Sequence, residues 1–254
     1  MRGTLIICPD AESVSREAAQ RFVSAVAEKL ADPRATFSVA LAGGTTPRRL
    51  YELLAGSPYR STIPWTRVHI FWGDERLVPY DHAESNFRLA HEALLSHVPV
   101  QRENIHPIST QIPADQAAQA YEQALRTHFG RWGTPRCDLV LLGVGADGHT
   151  ASLFPGSAAL AEKERWVMPH SLGVNQPARV TLTLPIINNA RRVHFLVTGK
   201  PKASALRAAL ESGPLPVQRV QPKKGELLFL VDAAATGKLE GIRIEVPVAS
   251  EAQT

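Results

Sequence analysis

The residues best suited to chemistry lie in one stretch, Cys137–Pro155, with the sequence CDLVLLGVGADGHTASLFP. It opens with a short apolar run closed by glycine, which predicts a strand buried on both faces. Asp147 and His149 then flank Gly148, and core packing gives no reason for this triplet after a buried strand. Because ligands bind at the carboxyl ends of strands in open α/β sheets, we interpret Asp147 and His149 as a candidate acid–base pair. The alternative is a tight turn in which His149 only caps a loop.

Two nucleotide-binding motifs overlap the same stretch. Residues 143–148 match GxGxxG, and residues 143–150 nearly match the phosphate loop GxxxxGK[ST], with His149 in place of the lysine. Both motifs require a long helix after the glycines, whereas Pro155 follows closely here. We therefore expect no nucleotide or other cofactor. We also expect no metal, since Asp147 and His149 without further clustered ligands make a poor zinc site.

A candidate anion site follows the apolar segment 37–42. It consists of two glycines and two hydroxyl residues: Gly43, Gly44, Thr45 and Thr46. Glycine lets backbone N–H groups approach an anion, the hydroxyls add donors, and the N-terminus of the helix predicted next is electropositive. The pattern favours phosphate binding over a plain strand-to-helix turn.

Three adjacent charges, Asp74, Glu75 and Arg76, follow the apolar segment 68–72. Such charges are costly to bury unpaired, so they are either solvated in an exposed turn or functional. Arg76 suits bidentate binding of a carboxylate or phosphate, and Asp74 or Glu75 would orient its guanidinium.

Two further basic residues begin predicted elements. Lys202 stands at the start of the helical segment 203–210, where the helix dipole disfavours a cation unless an anion also binds there. Arg179 begins an alternating segment and would reach either an anion or solvent.

Apolar and helical patterns alternate along nearly the whole chain. Strands are predicted at 5–8, 37–42, 68–72, near Ile105, and at 139–142, 166–168, 179–184, 192–197 and 227–231, with helices between most of them. This order predicts an α/β fold with a mostly parallel, Rossmann-like open sheet and helices on both faces, in a single domain spanning 1–254. Strand ends in such a sheet share one edge, so we expect the segments 43–47, 73–76, 143–150 and 198–202 to converge on one cleft.

Composition narrows the class of protein. The 254 residues are 44% hydrophobic and 20% charged, with a net charge of +4 and no cluster of Lys or Arg. We expect no nucleic-acid or membrane partner, a monomer or small homo-oligomer, and a cytoplasmic location. The lone cysteines Cys8 and Cys137 adjoin apolar runs and are expected to be buried thiols.

Taken in order, the motifs resemble the glucosamine-6-phosphate isomerase/6-phosphogluconolactonase family. The resemblance rests on residues 42–47 (AGGTTP), 73–76 (GDER), 143–155 (GVGADGHTASLFP), 197–199 (VTG) and Lys202, and residues 78–79, 84–86 and 179–182 also fit. It implies a carboxylic ester hydrolase of carbohydrate metabolism that converts 6-phospho-D-glucono-1,5-lactone to 6-phospho-D-gluconate in the oxidative pentose phosphate pathway.

The deaminase/isomerase branch of the family is an alternative, as is a non-catalytic sugar-phosphate-binding protein. In that branch the histidine is typically followed by Ile-Ala-Phe-Asn-Glu-Pro, whereas Phe154 precedes the proline here. Ring opening and enolisation need additional acid–base groups, so the missing glutamate favours the lactonase.

The resemblance also suggests roles for the candidate residues. Neutral His149 would take a proton from the attacking water, and Asp147 would orient the imidazole or assist the leaving oxygen. The 6-phosphate would lie on Gly43–Thr46, with Arg76, Arg179 and Lys202 as cationic partners. Backbone N–H groups around Gly145–Gly148, or Arg76, would stabilise the oxyanion.

Overall fold

The computed structural model describes residues 3–130, 133–171, 173, 176–211 and 213–239. Its strands are β1 (Thr4–Cys8), β2 (Phe37–Leu41), β3 (Val68–Trp72), β4 (Asp74–Arg76), β5 (Leu139–Leu142), β6 (Val167–His170), β7 (Arg179–Leu182), β8 (Arg192–Val197) and β9 (Glu226–Asp232). Its α-helices are α1 (Ala11–Leu30), α2 (Thr45–Ala55), α3 (Tyr59–Thr62), α4 (Asn86–Ala90), α5 (Ala114–Phe129), α6 (Ala158–Ala161), α7 (Leu184–Ile187) and α8 (Ala203–Leu210). A π-helical turn, His91–Leu95, continues α4, and short 3₁₀ turns occupy Trp65–Arg67, Arg102–Asn104, Lys200–Lys202, Pro216–Arg219 and Ala233–Thr236.

The main sheet has six strands in the order β1-β9-β8-β5-β2-β3, and every neighbouring pair is parallel. Strands β2 and β5 are buried at every position, so other elements cover both faces of the sheet. The prediction of a mostly parallel α/β sheet is confirmed. The short strand expected near Ile105 is reduced to a single parallel bridge between Ile105 and Ile70 of β3.

A second sheet has three antiparallel strands in the order β4-β7-β6. Segment 73–76, which the sequence pattern predicted as a loop, therefore contains a strand, and that prediction was wrong. Gly73 joins the two sheets, because its N–H donates to the Leu41 carbonyl at 2.8 Å while its own carbonyl accepts from the Leu182 N–H at 2.8 Å. The second sheet thus begins at the carboxyl edge of the first.

Several smaller expectations can be compared with the structure. Helix α1 begins after Asp10, whose carboxylate accepts a hydrogen bond from the Ser13 N–H at 2.7 Å. Cys8 and Cys137 are buried free thiols, as predicted. Among the helices described, none is both long and apolar enough to cross a membrane.

The buried carboxylate of Asp138 connects the start of β5 to β2 through hydrogen bonds. Its Oδ2 accepts hydrogen bonds at 2.9 Å from both the backbone N–H and the hydroxyl of Ser38. Its Oδ1 lies 3.3 Å from Lys29 Nζ and 3.2 Å from Arg191 Nε. One carboxylate therefore accepts both donors of Ser38 and lies beside two cations, at the end of the sheet opposite the carboxyl edge.

We predict that Asp138→Ala lowers the free energy of unfolding by roughly 2–3 kcal/mol, because the buried donors of Ser38 lose their acceptor. Urea denaturation measures the change. Asp81→Ala removes an exposed carboxylate and serves as the control, with little expected effect. Equal stability of the two variants would contradict the structural role of Asp138.

Candidate active site

A cleft of about 300 Å³ opens at the carboxyl edge of the main sheet. The four segments expected to converge there all contribute to its walls, so that prediction is confirmed. The predicted site residues that line it are Gly43, Gly44, Asp74, Arg76, His149, Arg179 and Lys202. The remaining predicted residues, Thr45, Thr46 and Asp147, do not line the cleft directly, but each belongs to a segment that does.

The imidazole of His149 is held by Asp147. The Oδ1 atom of Asp147 lies 2.5 Å from His149 Nδ1 and also accepts the His149 backbone N–H at 3.1 Å. Because a carboxylate accepts hydrogen bonds, this contact favours the tautomer protonated at Nδ1 and leaves the lone pair on Nε2. Burial alone raises the pKa of Asp147, but the hydrogen bonds from the backbone and ring of His149, with the charge of that ring, outweigh it and lower the pKa.

Phe154 and Gly145 further restrict the His149 ring. The Phe154 ring stacks on His149 with centroids 4.3 Å apart, and it also stacks on His170 at 4.9 Å. A Cβ atom at residue 145 would lie 2.1 Å from His149 Nδ1, so only glycine permits this close approach. Sequence reasoning did not predict these contacts of Phe154. It noted this residue only for its position before Pro155.

Glu75 organises the backbone beside the cleft. It is 1% exposed, and its carboxylate accepts N–H groups of Arg76 and Asn86 at 2.8 Å and of Phe87 at 2.7 Å. Burial raises the pKa of Glu75, although these hydrogen bonds oppose the change. The expectation that Glu75 or Asp74 orients the Arg76 guanidinium was wrong, since Arg76 Nη1 donates to the Glu84 carbonyl at 2.7 Å.

Asp74 connects two residues that sequence reasoning left without a role. Its carboxylate accepts a hydrogen bond from Ser152 Oγ at 2.6 Å and another from Asn86 Nδ2 at 3.3 Å. Asn86 also lines the cleft, and a Cβ atom at residue 43 would lie 1.9 Å from its Oδ1. In the sequence, Asn86 and Ser152 stood out only as members of the motifs 84–86 and 143–155. Their contact with Asp74 could not be predicted, because Asp74 is distant from Ser152 along the chain.

Two arginines lie side by side on neighbouring strands of the second sheet. Arg76 of β4 and Arg179 of β7 are directly opposite in the strand register, and like charges in that arrangement are destabilising. The Nε atoms of both are buried and have no hydrogen-bond partner among the described residues. Burial, and then the charge of Arg76, lower the pKa of Arg179. An anion in the cleft would offset this repulsion and accept the free donors.

Other groups favourable to an anion complete this end of the cleft. Helix α2 begins at Thr45, after Gly44 with its φ of 108°, so the helix N-terminus adjoins the two glycines on the cleft wall. The Thr46 hydroxyl lies 2.6 Å from that of Thr198, which joins the first and fourth converging segments. Lys202 Nζ donates to the Val144 carbonyl at 2.8 Å while lining the cleft.

Comparisons with known proteins agree with this fold. The sequence profile of the family described as glucosamine-6-phosphate isomerases/6-phosphogluconolactonase matches residues 9–229. The 6-phosphogluconolactonase of Synechocystis sp. is 44% identical over 224 residues, covering 85% of this chain and 88% of the relative. The human 6-phosphogluconolactonase is 39% identical over 241 residues, covering 92% of each. A solved structure of 6-phosphogluconolactonase from Trypanosoma cruzi has a TM-score of 0.82 at 31% identity and covers 94% of this chain and 97% of its own.

The chain therefore belongs to the glucosamine-6-phosphate isomerase/6-phosphogluconolactonase family, and the resemblance noted in its motifs is confirmed. The fold that this family shares also accounts for the Rossmann-like order of strands and helices.

We predict that inorganic phosphate raises the Tm of the protein by several degrees and that Arg179→Met removes most of this increase. The reason is that an anion stabilises the folded state that binds it, and about 1 kcal/mol shifts Tm by about 2–4 °C for a chain of this size. Thermal unfolding with and without phosphate measures the effect. Arg34→Met, which removes an exposed arginine, should retain the full increase; an undiminished increase in Arg179→Met would contradict anion binding at this pair.

Proposed function

We propose that this chain hydrolyses 6-phospho-D-glucono-1,5-lactone to 6-phospho-D-gluconate, the second step of the oxidative pentose phosphate pathway. The observation that carries the proposal is the His149 imidazole, fixed by Asp147, on the wall of a cleft that also contains three cationic side chains. A base facing a strongly cationic pocket suits an ester substrate that carries a phosphate. The names of the relatives, 6-phosphogluconolactonases at 39–44% identity, support the same substrate.

In the proposed reaction, His149 Nε2 accepts a proton from water as the water oxygen bonds to the lactone carbonyl carbon. The tetrahedral intermediate then collapses, the bond between that carbon and the ring oxygen breaks, and the ring oxygen takes the proton from the imidazolium. The ionised carboxylate of Asp147 keeps the ring oriented and stabilises its transient positive charge. Histidine suits both transfers, because its unperturbed pKa of about 6.5 lies near neutral pH.

The remaining residues bind and polarise the substrate in this proposal. The 6-phosphate lies at the N-terminus of α2, against the backbone of Gly43 and Gly44 and the hydroxyls of Thr45 and Thr46. Arg179 and Lys202 neutralise its charge. Asp74, which lines the cleft, accepts a sugar hydroxyl in this proposal.

The developing oxyanion needs a donor that the protein does not already use. The N–H groups of Gly145 and Gly148 donate to carbonyls within their own loop, at 2.8 and 3.0 Å. Arg76 offers a buried Nε without a partner among the described residues, which supports it as the oxyanion donor.

The surroundings of His149 do not favour the deaminase/isomerase alternative. Phe154, which stands at the position of the glutamate typical of that branch, stacks directly on His149 and presents an apolar ring. The second acid–base group needed for ring opening is therefore missing from that position. Ammonia release from glucosamine 6-phosphate would reveal the alternative activity.

The proposal also covers the domain organisation, the oligomeric state, the location and the partners of the chain. We propose that the chain acts as a single domain, as a monomer or small homo-oligomer, in the cytoplasm and without a nucleic-acid or membrane partner. The family match over residues 9–229 supports the single domain, and the scattered distribution of basic residues supports the lack of a nucleic-acid partner.

We predict that His149→Ala lowers kcat for lactone hydrolysis by about 10²–10⁴-fold, the usual contribution of a positioned general base. Steady-state kinetics corrected for spontaneous hydrolysis measure the change. His97→Ala removes an exposed histidine and should leave kcat unchanged. A kcat for His149→Ala close to that of the wild type would remove the base from the mechanism.

We also predict that Asp147→Asn lowers kcat by about 10²-fold or more, with a smaller effect on KM, because an amide can stabilise the tautomer protonated at Nε2 and cannot stabilise the imidazolium. The split between kcat and KM distinguishes this role from substrate binding. A rise in KM at constant kcat would instead show that Asp147 contacts the ground-state substrate.

A further inference from the structure

Three histidines converge far from the cleft, at the edge strand of the main sheet. His69 lies on β3, His106 follows the residue that bridges to β3, and His128 lies in the last turn of α5. Five residue steps of extended chain run from His69 to Asp74, which is roughly 17 Å along the strand direction. None of the three histidines lines the cleft. They therefore form a separate cluster, which the proposed hydrolysis does not use.

The three rings have the arrangement of a metal site. One ring nitrogen from each histidine can be chosen so that all three atoms lie within 4.8 Å of one another. His69 Nδ1 and His106 Nε2 are 3.2 Å apart. Two imidazole nitrogens on a tetrahedral zinc ion, each at about 2.05 Å, are separated by about 3.4 Å. The His69–His106 pair is already close to that spacing.

The position of the cluster also suits a metal, and imidazole nitrogens are common metal ligands in proteins. His128 stands at the C-terminal end of α5, where the helix dipole favours a cation.

Aromatic rings surround the cluster. Phe71 stacks on His106 with centroids 4.4 Å apart and lies 5.1 Å from His128, while Phe129 meets His128 edge-on at 4.6 Å. Among the described residues, the contact between His69 and His106 is the one hydrogen bond that these three rings make. Nitrogen ligands in an apolar setting favour zinc, copper or nickel over magnesium or calcium.

We propose that His69, His106 and His128 bind a divalent first-row transition ion of the zinc class, with a fourth coordination position open to water. The bound ion connects β3, the segment after Ile105 and the end of α5. Because the ion lies far from the cleft, it stabilises the fold and takes no part in the hydrolytic site.

The test uses zinc ions alone, in a His149→Ala background that prevents binding at the Asp147–His149 pair. His106→Phe and His128→Phe remove a ligand while retaining an aromatic ring among Phe71 and Phe129, and His97→Phe is the matched control at an exposed histidine. Equilibrium dialysis with metal analysis gives the stoichiometry and affinity, and thermal unfolding gives the stabilisation. A cobalt(II) spectrum reports tetrahedral coordination.

We expect one zinc ion per chain and a zinc-dependent rise in Tm for the background and for the His97→Phe control. Either ligand variant should weaken binding by about 100-fold or more, because loss of the outer-shell partners of metal ligands already costs about 10–100-fold. If a phenylalanine variant does not fold, His106→Asn replaces it. Less than one zinc ion per chain in the background, or unchanged affinity in the folded ligand variants, would overturn the proposal and leave the histidines as packing residues.

Discussion

The proposed chemistry depends on one interaction, the short contact between Asp147 and His149 Nδ1. It fixes the tautomer, so that Nε2 carries the lone pair in the cleft. Gly145 and Phe154 hold the His149 ring in this position. Gly145 has no side chain to clash with the ring, and Phe154 stacks on the face of the ring. A base with one allowed orientation has little freedom to lose when substrate binds.

Besides this base, the cleft contains positive charges that repel each other. Arg76 and Arg179 oppose each other on β4 and β7, and buried Glu75 holds the backbone around them through three N–H groups. This repulsion is electrostatic, and an anion bound in the cleft would offset it. Such an arrangement favours anionic ligands over neutral ones, and the second sheet places both arginines on the wall of the cleft.

The sequence was sufficient for the parallel sheet and for the convergence of its loops, since strand ends in such a sheet share an edge and Asp-Gly-His is unusual after a buried strand. It was insufficient for β4, because three charged residues resemble a solvated turn until the Asn86 and Phe87 backbone donors are seen to reach Glu75. The histidine cluster has no sequence signature at all. Its three members are widely spaced, and only the folded chain brings β3, the segment after Ile105 and the end of α5 together.

The central claim is that this cleft accelerates the opening of a phosphorylated sugar lactone by water. The most direct measurement is the formation of 6-phospho-D-gluconate from freshly prepared lactone, with and without catalytic amounts of the purified protein. The account predicts a rate that rises in proportion to protein concentration, well above the spontaneous rate and over many turnovers. A rate equal to the spontaneous one at every protein concentration would contradict it.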